Sequence, residues 1–204
     1  MSSPLETLSQ RLCPWLVPPL RQFETARRAG NLGHAWLISG TAGVGKINLA
    51  LVLARRLLGS QDEPAELDPA AALAAIAARH APMDRHPDLH WLHPEEDKET
   101  ISVDQVREVT EAFTLTAHRG GAKIAIVEPA EAMTTAAANA LLKTLEEPTP
   151  GSYLLLLSHQ PGRLPATVRS RCQHLPLRAP DGASVAQWLA LAPKAVAQAQ
   201  RLVG

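Results

Sequence analysis

The stretch GTAGVGKINLA, from Gly40 to Ala50, constrains the fold more than any other part of the sequence. It follows the pattern G-x-x-x-x-G-K, which belongs between a buried strand and a helix. Gly40, Gly45 and Lys46 meet the pattern, and Gly43 lies inside it. Glycines let backbone N–H groups turn towards a phosphate with no side chain in the way. Lys46 would add charge for the β- and γ-phosphates. The flanks agree with this reading. HAWLIS, before the loop, suits a buried parallel strand, and NLALVLARRLL, after it, carries apolar residues at helical spacing. A helix starting there would aim its partial positive charge at the loop. The pattern then fails. The residue after the lysine should carry a hydroxyl for Mg²⁺, and it is Ile47. An alkyl group offers no oxygen to a hard cation. Asn48 has an oxygen, but one step along a helix turns it by about 100°. Binding of ATP or ADP without hydrolysis is the expectation.

The rest of the chain repeats the strand-then-helix rhythm. PPLRQFETARRAGNL reads as a helix entered through prolines and closed by Gly30. LHWLH, KIAIVE and SYLLLLS read as strands, and CQHLPL as an edge strand interrupted by Pro176. Between them, ISVDQVREVTEAFTLTAH is amphipathic, with Ser102 as its cap and Val103, Val106, Val109 and Phe113 on one face. TTAAANALLKTLEEP is a helix with a threonine cap and a proline beyond its end. Residues 59–88 mix turn formers with an alanine-rich segment and read as a surface insertion. This alternation predicts an α/β fold, a parallel sheet covered by helices on both faces. The glycine-rich loop then falls at the carboxyl end of a strand, where such folds bind ligands.

Lys plus Arg and Asp plus Glu number 20 each, so the net charge is zero and strong non-specific attraction to DNA is not expected. The two cysteines, Cys13 and Cys172, are too far apart in sequence to form a metal-binding pair. No apolar run is long enough for a membrane span and no basic-then-apolar leader opens the chain. A soluble cytoplasmic protein is expected.

Hydrolysis at such a loop also needs an acidic residue at the end of another buried strand. KIAIV is that strand, and Glu128 follows it. The position after the acid should carry the base that polarises water, and it is Pro129, which has neither a side-chain acceptor nor an N–H. Glu131 lies past the proline, with little prospect of reaching a γ-phosphate. Two stations fail independently.

NALLKTLEEP (Asn139 to Pro148) and RSRC (Arg169 to Cys172), in this order after the loop, resemble the clamp-loader branch of the AAA+ ATPases. With PDLHWLHPE, VDQVREVTE and GGAKIAIV, the pattern is similar to the delta-prime family of bacterial DNA polymerase III clamp-loader subunits, from about Pro14 to about Arg178. The resemblance implies a P-loop AAA+ (RecA-like) domain over residues 1–178 and the start of a helical lid over 179–204, with the family's collar domain beyond this chain. It implies a subunit that does not hydrolyse ATP. Such a subunit helps load the sliding clamp onto primed DNA, in company with ATP-hydrolysing subunits and the delta subunit, as part of the DNA polymerase III holoenzyme. Arg171, in the SRC motif, would be the arginine finger supplied to a neighbour's ATP. A guanidinium can hold two phosphate oxygens in a fork.

The chain departs from the pattern in places. Many relatives carry a four-cysteine zinc module after the P-loop helix, and this sequence has no cysteine between Cys13 and Cys172. A Cys₄ site is therefore excluded. His80, His86, His90 and His93 fit no common zinc spacing, so no metal is expected. Ser158 or His159 stands where motor subunits sense the γ-phosphate and only approximates that residue. The alternatives are a working ATPase that uses Glu128 with an unusual Mg²⁺ shell, or a stand-alone nucleotide sensor.

Overall fold

The computed structural model describes residues 13–58, 87–117 and 121–191. Most of the segment read as a surface insertion, with His80 and His86, lies outside the described residues. A 3₁₀ turn at Pro14–Leu16 leads into α1 (Val17–Arg28), whose first turn contains Pro18 and Pro19. Gly30 follows with φ of 70°, a left-handed conformation that ends the helix. The order continues β1 (Ala35–Ser39), α2 (Lys46–Leu58), β2 (Leu89–Leu92), α3 (Val103–Thr114), β3 (Lys123–Val127) and α4 (Thr135–Glu146). It closes with β4 (Ser152–Ser158), α5 (Ala166–Arg169), β5 (Gln173–Pro176) and α6 (Gly182–Leu191).

The five strands form one sheet in the order β2-β3-β4-β1-β5, and every pairing is parallel. β1 and β4 lie inside the sheet, which explains why AWLIS and LLLLS are nearly continuous apolar runs. Alternate residues of β1 serve opposite faces. Trp36 and Ile38 pack with Leu16, Leu20, Phe23, Leu49 and Leu53 from the Pro14 turn, α1 and α2. Ala35 and Leu37 pack with Val106, Phe113, Leu141 and Leu145 from α3 and α4. β5 is an edge strand ending at Pro176, as its proline predicts.

Helix ends follow their sequence signals. Ser102 accepts the Gln105 N–H at 3.3 Å, while the Gln105 side chain accepts the Ser102 N–H at 2.8 Å, a reciprocal capping box. Thr134 caps α4 through Ala137 N–H. At the other end of α3, the Lys123 ammonium is buried and donates to the Phe113 and Leu115 carbonyls. A cation there satisfies carbonyls that the helix leaves free. The sequence offered no sign of this role, because the lysine reads as the polar first residue of the KIAIV strand. Val103 is only half-buried, whereas Val106, Val109 and Phe113 are in the core.

Ser102→Ala should lower unfolding stability by about 1 kcal/mol in urea titration, since it removes one half of the capping box.

Candidate phosphate-loop site and the opposite edge

All strands run the same way, so one edge of the sheet collects their carboxyl ends. Ser39 of β1 delivers the chain to the loop there, and Gly40 N–H donates to the Ser158 carbonyl at the end of β4 (3.1 Å). A Cβ on Gly40 would stand 2.7 Å from the Leu177 carbonyl oxygen, so only glycine fits. Gly43 and Gly45 have φ of 77° and 98°, which L side chains resist. The Trp15 indole N–H donates to the Val44 carbonyl at 2.9 Å, so the turn before α1 braces the loop. No sequence pattern announced that brace.

Lys46 begins α2, and its ammonium donates to Gly40 O and Thr41 O, both at 2.8 Å. The side chain is folded back onto its own loop. Burial pushes the ammonium below its usual pKa, while the charges of Glu128 and Glu131 pull it back up. Ile47, at the metal position, is 7% exposed and belongs to the apolar core shared by α1, α2 and the sheet. Asn48 has its side-chain oxygen buried without a hydrogen-bond partner among the described residues.

A cavity of about 490 Å³ opens beside the loop. Gly43, Lys46, Trp91, His93, Glu128 and His159 are among its lining residues, and Pro129 borders it too. The structure therefore brings the loop, the β3-end acid and the residue after β4 to one place. It does not bring Glu131 there as a base. The Glu131 side chain is 4% exposed and lies in the 3₁₀ turn Ala130–Ala132. Its Oε1 accepts the backbone N–H groups of His159 and Gln160 at 3.1 and 3.0 Å, and the His159 Nδ1 lies 3.0 Å away. Burial pushes this carboxyl up, but the backbone N–H donors, with the Ser158 hydroxyl and His159, bring it below the usual carboxylate range. Glu131 is a strut between the ends of β3 and β4. Ser158 is fully buried and its hydroxyl accepts the Gln160 N–H at 3.1 Å. Only His159 of that pair reaches the cavity. Among the described residues, no group of three or more His, Cys, Asp or Glu side chains converges to hold a metal ion. Cys13 and Cys172 are buried, and burial pushes their thiols up to about 11 and about 12.

Arg171 lies at the other edge. It falls between α5 and the first residue of β5, where strands begin. The Leu145 carbonyl, near the end of α4, is bonded to His34 just before β1 (3.0 Å), which puts the α4 terminus at that same edge. Arg171 Nη2 lies 2.6 Å from Glu146 Oε1, and Nη1 donates to the Thr167 carbonyl at 2.9 Å. The depth of the sheet, about 16 Å for a five-residue strand, separates this guanidinium from its own loop.

A parallel sheet whose glycine-rich loop leads from one strand's carboxyl end into a helix is the frame of a P-loop α/β module. The comparisons with known proteins narrow this. The family model described as DNA polymerase III, delta subunit, matches residues 18–181. The DNA polymerase III subunit delta' of Pseudomonas aeruginosa is 44% identical over 162 residues, covering 78% of this chain and 47% of the relative. The subunit of that name from Escherichia coli is 39% identical over 179 residues, covering 88% and 52%. A solved structure of a DNA polymerase III gamma subunit-related protein from Thermotoga maritima matches with a TM-score of 0.59 at 23% identity, over 85% of this chain and 54% of that one. At that identity the likeness speaks for the fold. The chain belongs to the delta-prime family of DNA polymerase III subunits. It spans about half the length of the curated relatives it matches.

Because the Glu131 pKa is depressed in the fold, its stabilisation is present above the unfolded value of about 4.3 and fades as pH falls through the folded value. Glu131→Gln should unfold about 1 kcal/mol more easily at pH 7, with the gap to the parent closing below about pH 4. Urea titration across pH measures this, and a gap independent of pH would take the charge out of the explanation.

Proposed function

We propose that this chain is the non-hydrolysing AAA+ subunit of a replicative clamp loader, helping to place the sliding clamp on primed DNA. In this reading Arg171 acts as an arginine finger on the ATP of a neighbouring subunit. One observation carries the reading: the exposed guanidinium of Arg171 sits at the sheet edge opposite its own phosphate loop. It cannot serve the nucleotide of its own chain across about 16 Å, so its use is in trans. The names of the relatives support the complex to which the subunit belongs.

Several details support silence at the chain's own loop. Ile47 is committed to the core and leaves no hydroxyl for Mg²⁺. Pro129 occupies the base position, and Glu131 is spent on His159 and Gln160. A cavity of about 490 Å³ lies within the range of small-ligand sites, which supports binding of ATP or ADP without turnover. No cofactor is required for this role. The partners are the ATP-hydrolysing subunits, the delta subunit, and, through the complex, the clamp and DNA. Contact with DNA is to backbone phosphates and not to bases. Among the described residues no helix is long and apolar enough to cross a membrane, in keeping with a cytoplasmic replication complex.

In a complex reconstituted with the hydrolysing subunits, Arg171→Ala should leave assembly intact. It should cut clamp- and DNA-stimulated turnover at the affected interface by ~10³–10⁵-fold. Isothermal titration of the chain with ATP should give the same affinity with and without magnesium. Turnover unchanged by Arg171→Ala removes the finger.

A further inference from the structure

We propose that Glu146 is the positioning residue for Arg171, holding the guanidinium ready for a phosphate that another chain brings. This rests on the reading of Arg171 as a trans-acting finger and adds to it a residue and a mechanism. The pair lies on two separate elements. Glu146 is the last residue of α4, and Arg171 follows α5 two residues before β5. The ion pair measures 2.6 Å and the second contact, to the Thr167 carbonyl, 2.9 Å. Both side chains remain accessible, at 35% for Arg171 and 51% for Glu146.

Three physical points favour positioning. An arginine on a surface turn has a long stem with many rotamers, and ordering it costs free energy at the moment of use. Contacts to two elements remove much of that freedom beforehand. The helix terminus assists: the free carbonyls at the end of α4 carry partial negative charge, so a cation is favoured there. Finally, these contacts use two of the five N–H groups of a guanidinium, one on each terminal nitrogen. The others suffice for a forked grip on phosphate oxygens. As an exposed pair it adds little to fold stability, which leaves orientation as its use.

The test is made in the reconstituted complex with assembly confirmed by gel filtration. Four forms are compared: Glu146→Ala, Glu146→Gln, Arg171→Ala and the Ala–Ala double variant. Glu146→Ala should lower stimulated kcat by up to about 10²-fold with KM for ATP unchanged, the scale of a catalytic group displaced by an ångström. Glu146→Gln, which keeps an acceptor oxygen, should recover most of that loss. In the Arg171→Ala background, Glu146→Ala should add nothing. Parent-like turnover in Glu146→Ala, or a further fall in the double variant, overturns the inference while the Arg171→Ala loss keeps the finger. Parent-like turnover in Arg171→Ala overturns both.

Discussion

The parallel pairing of β1 with β4 organises everything else in this fold. Its register runs from Ala35 against Leu154 to Ser39 against Ser158, and both strands are buried from both faces. Two apolar layers clamp it, one from the Pro14 turn, α1 and α2 and one from α3 and α4. Slipping the register by one residue would turn Trp36 and Ile38 to the wrong layer, so the pairing admits one solution. From that fixed pair the chain launches the glycine loop at one edge. β5, paired to the outer side of β1, fixes Arg171 at the other.

This separation gives the two edges different chemistry. At the carboxyl edge, the glycine-rich loop and its lysine stand beside a cavity. Glu128 lines that cavity, while Ile47 and Pro129 depart from the usual catalytic pattern. Ile47 contributes packing where magnesium needs a hydroxyl. Glu131 braces the ends of β3 and β4. The Lys46 ammonium rests on its own loop carbonyls. At the amino edge, a charged group is exposed and held in place. The module presents a cation there, which on the proposed reading is its contribution to a neighbour.

Much of this was legible in the residues. The loop, the strands and the caps at Ser102 and Thr134 follow from local chemistry: glycine spacing, continuous apolar runs and hydroxyls ahead of amphipathic segments. The two departures from the catalytic pattern are local too, since Ile47 and Pro129 are each one residue away from a recognisable landmark. What sequence reasoning missed joins residues far apart. Glu131 reaches His159 across 28 positions, Trp15 reaches Val44 across 29, and Arg171 meets Glu146 only because α4 and α5 end at one edge. No periodicity or motif encodes such pairs. They emerge from strand order, and the order β2-β3-β4-β1-β5 is a property of the packed sheet.

The most direct measurement is phosphate release by the purified chain alone, supplied with ATP and magnesium. On the proposed reading no turnover rises above the protein-free control, because Ile47 offers magnesium no hydroxyl and Pro129 offers water no base. Steady release of phosphate that Lys46→Ala abolishes would contradict it, for the loop would then be a working catalyst despite Ile47 and Pro129.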